Sequence, residues 1–217
     1  MSAQSFAFPV SLAEKYRPMR VAEFVGLEKV KKVLGGFVRA PRDAAFLFVG
    51  PPGVGKTSIG LALASELGAC EPFDLHLISS QKCTVEAVEL VMRSCQYCTH
   101  KAGGFHLVLV DEADRMSPAA QLALLSRLDA TARPPKTIFI FTCNETGSLE
   151  KRFLSRCMVL EFSSYGLREE LTAFLERVWR SETSAEPTID FARVAKDATN
   201  NVRDCLMRIE VELLGAA

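Results

Sequence analysis

The stretch Gly50-Pro-Pro-Gly-Val-Gly-Lys-Thr57 has residue types and a spacing that suit the binding of phosphate. Its glycines let the backbone bend closely around an anion, because no Cβ intervenes. Lys56 supplies a positive charge for the β- and γ-phosphates, and Thr57 supplies a hydroxyl for Mg²⁺. Every fixed position of G-x-x-x-x-G-K-[ST], the phosphate-binding loop of nucleotide-hydrolysing enzymes, is filled. The predicted nucleotide-binding residues in this segment are Gly50, Pro51, Pro52, Gly53, Val54, Gly55, Lys56, Thr57 and Ser58.

The residues on either side of this loop predict the elements that position it. The segment before it, Ala45–Val49, is short and apolar like a buried strand, and Ser58–Leu67 after it has a helical composition. A strand, a glycine loop and a helix in this order direct backbone N–H groups and a helix N-terminus at phosphate. These flanks favour a phosphate site over an ordinary turn rich in glycine and proline.

Polar residues at the ends of two further apolar runs could complete such a site. The run from His106 ends in Asp111-Glu-Ala-Asp114, where Asp111 can hold the Mg²⁺ shell. Glu112 can orient and polarise the attacking water. Asn144 follows a second apolar run and can hydrogen-bond the water or the γ-phosphate. Acids and asparagines after strands are also common turn residues, so these roles depend on the pairing with the glycine loop.

The pattern of apolar runs predicts an α/β fold. Five runs are short, continuous and apolar, as expected for strands covered on both faces, and helical stretches lie between most of them. This alternation indicates a parallel sheet with flanking helices. The predicted strands are Phe46–Val49, Leu75–Ser79, Leu107–Val110, Thr137–Thr142 and Met158–Phe162.

After Phe162 the sequence shows only helical periodicity. The predicted helices there are Leu167–Arg180, Asp190–Thr199 and Asn201–Leu214. We therefore predict an α/β domain over residues 1–163 and a small three-helix domain over residues 164–217. One continuous domain is the alternative.

The composition excludes several classes of protein. The formal net charge is zero, so any contact with nucleic acid must come from local patches or from several copies together. No apolar run approaches the roughly 20 residues that span a bilayer, so no membrane role is expected. The N-terminus, Met1–Val10, lacks the basic segment of a secretory signal. Seven cysteines in no tight framework suit a reducing cytoplasm, or a nucleus in a eukaryote.

The pair Cys95-Gln-Tyr-Cys98 has the spacing of half a zinc site. A structural zinc site usually recruits a second close pair, but Cys70 and Cys83 are each more than ten residues from the next cysteine. Both members of the pair also fall on a helix predicted from Thr84 to His100, where this spacing puts them on one face. We therefore expect buried free thiols here rather than zinc ligands.

Five segments in a fixed order carry a family resemblance. They are Glu14-Lys-Tyr-Arg-Pro18, Gly50–Thr57, Asp111–Asp114, Cys143-Asn144 and Ser155-Arg-Cys157. Together they closely resemble the AAA+ ATPase subunits of sliding-clamp loaders, above all small subunits of the replication factor C type. The first and last segments are specific to that branch, whereas the glycine loop is common to many ATPase families. The resemblance covers residues from about Leu12 to Leu214.

The resemblance implies ATP and Mg²⁺ as ligands and assigns roles to residues outside the loop. Five residues match the segment that packs around adenine, namely Tyr16, Arg17, Pro18, Val25 and Gly26. Asn144 matches the first sensor residue, and Arg156 matches the arginine finger that enters the ATP site of a neighbouring subunit. Arg203 matches the second sensor, carried on a helical lid over 164–217, although Asn200-Asn201 stands where the family more often has Gly-Asp.

The sequence departs from the family in two further places. The family's subunits normally carry a helical collar domain after the lid, and this sequence ends at Ala217, where the collar would begin. We expect either a truncated chain or a minimal form that assembles through ATP interfaces and partners. The Asn-Ala-Ser-Asp segment that helps couple DNA to the catalytic glutamate is Ile78-Ser-Ser-Gln81 here. Phosphate contacts with DNA are expected near helix starts, with Lys82 and Arg115 as candidates.

The resemblance also implies partners: other AAA+ subunits that share ATP sites, a sliding clamp and primer–template DNA. The leading prediction is a clamp-loader-like ATPase subunit that is stimulated by DNA and partners. One alternative is an AAA+ ring that remodels other DNA, for example in branch migration. The other is a nucleotide-dependent regulatory module or scaffold that hydrolyses little ATP.

Overall fold

The computed structural model describes residues 10–129 and 131–216, with only the backbone of Ala216 described. The N-terminal stretch without secretory features, residues 1–9, lies outside these ranges. Contacts divide the described residues into two compact units, Pro18–Ser163 on the one hand and residues 10–17 with 164–216 on the other. Residues 10–17 thus group with the C-terminal helices. The predicted domain 1–163 instead places them with the sheet. The domain limits themselves stay a prediction.

The larger unit contains a parallel sheet of five strands in the order β2-β3-β4-β1-β5. Each strand lies within two residues of its predicted limits, and the predicted α/β class is confirmed. The strands are β1 (Ala44–Val49), β2 (Leu75–Ser79), β3 (His106–Asp111), β4 (Thr137–Cys143) and β5 (Met158–Glu161).

The described residues form nine α-helices, none of which combines the length and the apolar character needed to cross a bilayer. Short 3₁₀ turns lie between these elements at Val21–Glu23, Ser80–Lys82 and Ala113–Arg115. The helices are α1 (Leu12–Lys15), α2 (Glu28–Arg39), α3 (Lys56–Leu67), α4 (Val85–Ser94), α5 (Pro118–Leu128), α6 (Lys151–Leu154), α7 (Arg168–Glu182), α8 (Phe191–Asp197) and α9 (Val202–Ala216).

The strands are apolar at successive positions because successive residues point to opposite faces of the sheet, and a hydrophobic core lies on each face. Phe46 and Ile140 face α2 and α3, whereas Leu47 and Phe141 face α4, α5 and α6. In α3, a Cβ on Gly60 would lie 2.6 Å from Cδ1 of Leu109. Glycine at this position therefore lets α3 lie close against β3, which fixes the helix that begins at the glycine loop.

The predicted helix Thr84–His100 is correct at its start and wrong at its end. Thr84 caps α4 by accepting a hydrogen bond from the N–H of Ala87 at 3.2 Å. The helix ends at Ser94, and the chain then turns so that the N–H of His100 donates to the carboxylate of Asp74 at 2.9 Å. This contact joins the turn to a residue distant in sequence, and helical periodicity alone does not reveal it.

The smaller unit packs three helices around Leu171, Leu175 and Trp179 of α7 with apolar residues of α8 and α9. The predicted helices 167–180, 190–199 and 201–214 agree with α7, α8 and α9 to within two residues. The indole N–H of Trp179 is satisfied by the carbonyl of Ala185 at 2.9 Å. Residues 10–17 join this unit because the hydroxyl of Tyr16 and the ammonium of Lys15 both bind the carboxylate of Glu182.

Candidate nucleotide-binding site

The glycine loop connects the carboxyl end of β1 to the first residue of α3. Gly55 has a φ of +91°, and a Cβ there would lie 3.1 Å from the ring of Phe24. A Cβ on Gly50 would overlap the carbonyl oxygen of Phe162. Both positions therefore require glycine. The loop that results places the N-terminal end of a 12-residue helix at the predicted phosphate position.

Lys56 is the first residue of α3, and its side chain is buried inside the loop. Its Nζ donates to the carbonyl oxygens of Gly50 at 2.5 Å and Pro51 at 2.8 Å. A third bond goes to Oδ1 of Asn144 at 3.1 Å. Burial lowers the pKa of Lys56, while the nearby carboxylates, Asp111 among them, oppose that shift. The loop thus holds an ammonium group where phosphate oxygens would replace the carbonyls as its acceptors.

Thr57 and Asp111 form the predicted magnesium site. The hydroxyl of Thr57 donates to Oδ1 of Asp111 at 2.7 Å, which joins the start of α3 to the end of β3. A hydroxyl and a carboxylate are hard oxygen ligands of the kind that Mg²⁺ prefers, and one or two such protein ligands suffice because the ion keeps several waters. The two residues therefore fit the ion that the loop implies.

Thr142 is a residue of this site that the sequence analysis missed. Its hydroxyl donates to Oδ1 of Asp111 at 2.5 Å and accepts the backbone N–H of Glu112 at 3.1 Å. The side chain is buried at the penultimate position of β4. One hydroxyl thus orients both acids. The available signal was a hydrogen-bonding residue inside an otherwise apolar strand, directly before its polar end.

Replacing Thr142 with valine keeps the shape of the side chain and removes both hydrogen bonds. We expect ATP turnover to fall roughly tenfold, since a hydrogen bond to a charged group contributes about 1.5–3 kcal/mol. ATP affinity should change little. Thr137→Val is the matched control, because Thr137 is equally buried at the other end of β4 and its hydroxyl bonds the carbonyl of Pro135. Equal turnover for both variants in a steady-state phosphate-release assay would show that Thr142 does not orient the acids.

Glu112 adopts a backbone conformation that few side-chain-bearing residues occupy, with φ +55° and ψ +47°. Such strain persists only where the surroundings enforce it, and it clusters at functional sites. The bond from its N–H to Thr142 is one such constraint. Its half-exposed carboxylate pairs with Arg115 at 3.3 Å, an exposed contact that contributes little stability. The carboxylate is therefore free to exchange this partner for a water.

The two predicted DNA-contact residues do not lie at the starts of α-helices, as the sequence analysis supposed. Lys82 and Arg115 each end a 3₁₀ turn, whereas α4 begins at Val85 and α5 at Pro118. The short turns arise because Thr84 and Ser117 cap the following helices, which moves each helix start beyond the basic residue.

The predicted adenine residues fall into both units of the chain. Pro18, Val25 and Gly26 belong to the sheet unit, and Phe24 of the same segment contacts the loop at Gly55. Tyr16 and Arg17 belong to the helical unit, as does the predicted second sensor Arg203 at the start of α9. The roles of these residues stay predictions.

Arg156 lies far from the glycine loop of its own chain. It precedes β5, whose first residue, Met158, pairs with Phe46 of β1. Phe46 is four residues before Gly50, and at about 3.3 Å per residue β5 therefore begins about 13 Å short of the loop. Arg156 is instead held by Asp129, with Nε–Oδ1 and Nη2–Oδ2 distances of 2.5 and 3.3 Å. The fold brings Lys56, Thr57, Asp111, Glu112 and Asn144 together and leaves Arg156 paired with Asp129 before the start of β5.

Cys95 and Cys98, the pair with the spacing of half a zinc site, differ in their exposure to solvent. Cys95 is buried at the end of α4, and burial raises the pKa of its thiol to about 12. Cys98 is exposed beyond the helix, so the expectation that both are buried is wrong for Cys98. All seven cysteines, each within the described ranges, are free thiols.

Comparison with known proteins agrees with this geometry. The model of the ATPase family associated with various cellular activities (AAA) matches residues 46–165, which include the glycine loop, both acids, Asn144 and Arg156. Replication factor C small subunit 1 of Pyrobaculum arsenaticum is 34% identical over 207 residues, 94% of this chain and 60% of its own length. The corresponding small subunit of Methanocella arvoryzae is 30% identical and aligns with 78% of this chain and 52% of its own length.

The chain thus spans about half to three-fifths of the length of these two relatives. Among solved structures, RuvB of Thermotoga maritima, a Holliday junction branch migration motor, has a TM-score of 0.72. It aligns with 88% of this chain and 63% of its own, and at 24% identity this likeness shows the fold alone. The predicted resemblance to small subunits of replication factor C is confirmed. The chain belongs to the ATPase family associated with various cellular activities.

Proposed function

We propose that this chain is an ATP-hydrolysing subunit of a clamp-loader-like machine of DNA replication or repair. The observation that carries the proposal is the pair of bonds that ties the loop to the strand ends, Lys56 to Asn144 and Thr57 to Asp111. These bonds bring an ammonium group, a hydroxyl–carboxylate pair and an amide to one edge of the sheet, which supports roles for them in binding phosphate, holding Mg²⁺ and positioning water. The relatives named as replication factor C subunits support the choice of machine.

The side chains divide the work of phosphoryl transfer. Lys56 binds the β- and γ-phosphates, and Thr57 and Asp111 hold Mg²⁺, which neutralises charge that develops on the phosphate oxygens. Glu112 orients the attacking water and accepts its proton, and Asn144 positions that water or the γ-phosphate. Pro18, Val25 and Gly26 of the sheet unit would pack on adenine, and the matching roles of Tyr16, Arg17 and Arg203 are carried over from the family resemblance alone.

Arg156 completes the site of a neighbouring subunit. The start of β5, two residues after Arg156, lies about 13 Å short of the loop of its own chain, which is more than the length of an arginine side chain. A guanidinium from the neighbour would stabilise charge spread over the equatorial oxygens of the transferring phosphoryl group. Its present partner, Asp129, is about half exposed, so breaking this pair costs little free energy. Hydrolysis would then depend on assembly with other AAA+ subunits.

The proposed partners are a sliding clamp and primer–template DNA, with ATP binding and hydrolysis driving assembly on them and release from them. DNA phosphates near Arg115 would compete with Glu112 for its guanidinium, since the two residues pair at 3.3 Å. Such competition would free the catalytic carboxylate and give a route by which DNA stimulates hydrolysis.

A steady-state ATPase assay with and without clamp and primed DNA tests this function. We expect the combination to stimulate turnover above that with either alone. Lys56→Ala serves as the inactive reference, because loss of its charged contacts should weaken ATP binding roughly 10- to 100-fold. Lys32→Ala, which removes an exposed lysine of α2, is the matched control. Stimulation by four-way junction DNA alone would indicate a branch-migration ring, and negligible turnover under every condition would indicate a scaffold.

A further inference from the structure

Two histidines and a cysteine meet at the other end of the sheet from the glycine loop. Their ligand atoms, a ring nitrogen each of His76 and His106 and the Sγ of Cys95, are buried and lie within 4.8 Å of one another. His106 begins β3, whereas Asp111 ends it, so about 16 Å of strand separates this cluster from the magnesium site. The nucleotide chemistry therefore gives these three residues no role.

The pairing of β2 with β3 places the histidines on one face. His76 pairs with Val108, and His106 is two residues before Val108, which makes the histidines a diagonal pair. Val108 belongs to the core under α4 and α5, and Cys95, the residue directly after α4, belongs to the same core. Register and helix length thus bring three ligands together from positions up to 30 residues apart.

We propose that His76, Cys95 and His106 bind one Zn²⁺ ion, with a water molecule in the fourth position. Nε2 of His76 and Nδ1 of His106 are 3.4 Å apart. Tetrahedral zinc with Zn–N bonds of about 2.0–2.1 Å requires two nitrogens about 3.3–3.4 Å apart, so the pair is already at coordinating distance. In a tetrahedral site the nitrogen and sulfur ligands are about 3.6 Å apart. The Sγ of Cys95 already lies within 4.8 Å of both nitrogens, so it has only a small distance to move to complete the third position.

The surroundings orient the ligands for a metal. Nε2 of His106 lies 3.0 Å from the carbonyl oxygen of Tyr97, and because a carbonyl only accepts, this nitrogen carries the proton. Nδ1 of His106 therefore presents its lone pair toward His76. Metal-bound histidines commonly hold their second nitrogen in this way. His76 ligates through Nε2 once its proton moves to Nδ1, so the histidines stay neutral.

The charge balance also suits a divalent cation. Binding releases one proton, from the Cys95 thiol, and the thiolate then neutralises half of the charge of Zn²⁺. The carboxylate of Asp74 lies two residues before His76 and is 1% exposed, so a buried negative charge lies close to His76 in sequence. The bound ion would join the edge strand β2 to β3 and to the end of α4. Because the ion would lie far from the phosphates, it would take no part in phosphoryl transfer.

Cobalt titration of the metal-free protein, residues 1–217, tests the site. We expect one equivalent of Co²⁺ to bind with the visible bands of tetrahedral cobalt and a thiolate-to-cobalt charge-transfer band, and Zn²⁺ to remove both. Cys95→Ser should abolish the charge-transfer band. His76→Gln should weaken binding by more than the roughly 10- to 100-fold that loss of an outer hydrogen-bond partner costs. Cys98→Ser, which changes an exposed thiol three residues away, should bind like the parent.

His76 lies half-buried on the edge strand, so His76→Gln is expected to fold, and retained ATP binding by the variant would confirm that it does. With folded protein, a rise in melting temperature on adding Zn²⁺ to the parent but not to His76→Gln supports the site. No stoichiometric binding by the parent, or a charge-transfer band that survives in Cys95→Ser and is lost in Cys98→Ser, would overturn it.

Discussion

Replacing Arg156 with alanine is expected to lower ATP turnover by roughly 10³-fold or more and to leave ATP affinity nearly unchanged. The affinity is preserved because the loop and Lys56 of the same chain bind the nucleotide. Turnover falls because charge on the transferring phosphoryl group loses the guanidinium that the neighbouring subunit would supply. Single-turnover hydrolysis and equilibrium binding of a fluorescent ATP analogue measure the two effects separately.

Two further variants make the Arg156 experiment specific. Arg152→Ala removes an exposed arginine from α6, the short helix that ends two residues before Arg156, and should behave like the parent protein. Arg156→Lys keeps the charge but loses the planar fork that contacts two oxygens at once, so it should remain strongly impaired. Full turnover in Arg156→Ala would eliminate the shared site.

Replacing Glu112 with glutamine should give a protein that binds ATP and fails to hydrolyse it. Glutamine has the same size and can still pair with Arg115, but it cannot accept a proton from water. Loss of a general base typically costs 10²- to 10⁴-fold in rate. We expect ATP affinity within about threefold of the parent, so that nucleotide accumulates on the protein unhydrolysed and can be recovered as ATP after gel filtration.

Glu145→Gln is the matched control for Glu112. Glu145 is exposed and follows Asn144 at the same edge of the sheet, so it shares the electrostatic surroundings without the strained backbone. Its replacement should leave turnover unchanged. Recovery of ADP alone from the Glu112 variant would contradict the proposed role of the carboxylate.

The strand limits and the loop were predictable because each depends on local sequence. Continuous apolar runs mark buried parallel strands, and the glycine pattern of Gly50–Thr57 has few other uses. Thr142 was not predicted, because threonine is a common strand residue and its role appears only when β3 and β4 lie side by side. The pairing that brings it to Asp111 is a tertiary property.

The histidine–cysteine cluster shows the same limit more clearly. Sequence spacing pairs Cys95 with Cys98 as half of a zinc site, on a predicted helix that ends six residues beyond the observed end of α4. Its neighbours in space are His76 and His106, which come from two strands. Sequence spacing identifies ligands that lie on one element, whereas this set depends on strand register and on the residue at which α4 ends.

The most direct test of the composite active site is a mixture of the Arg156→Ala and Glu112→Gln proteins. Neither should hydrolyse ATP alone. Where an Arg156→Ala subunit binds ATP beside its intact Glu112, a Glu112→Gln neighbour can supply the missing arginine. We predict that the mixture turns over ATP well above the sum of the two separate rates. A mixture no faster than that sum would contradict a site built from two subunits.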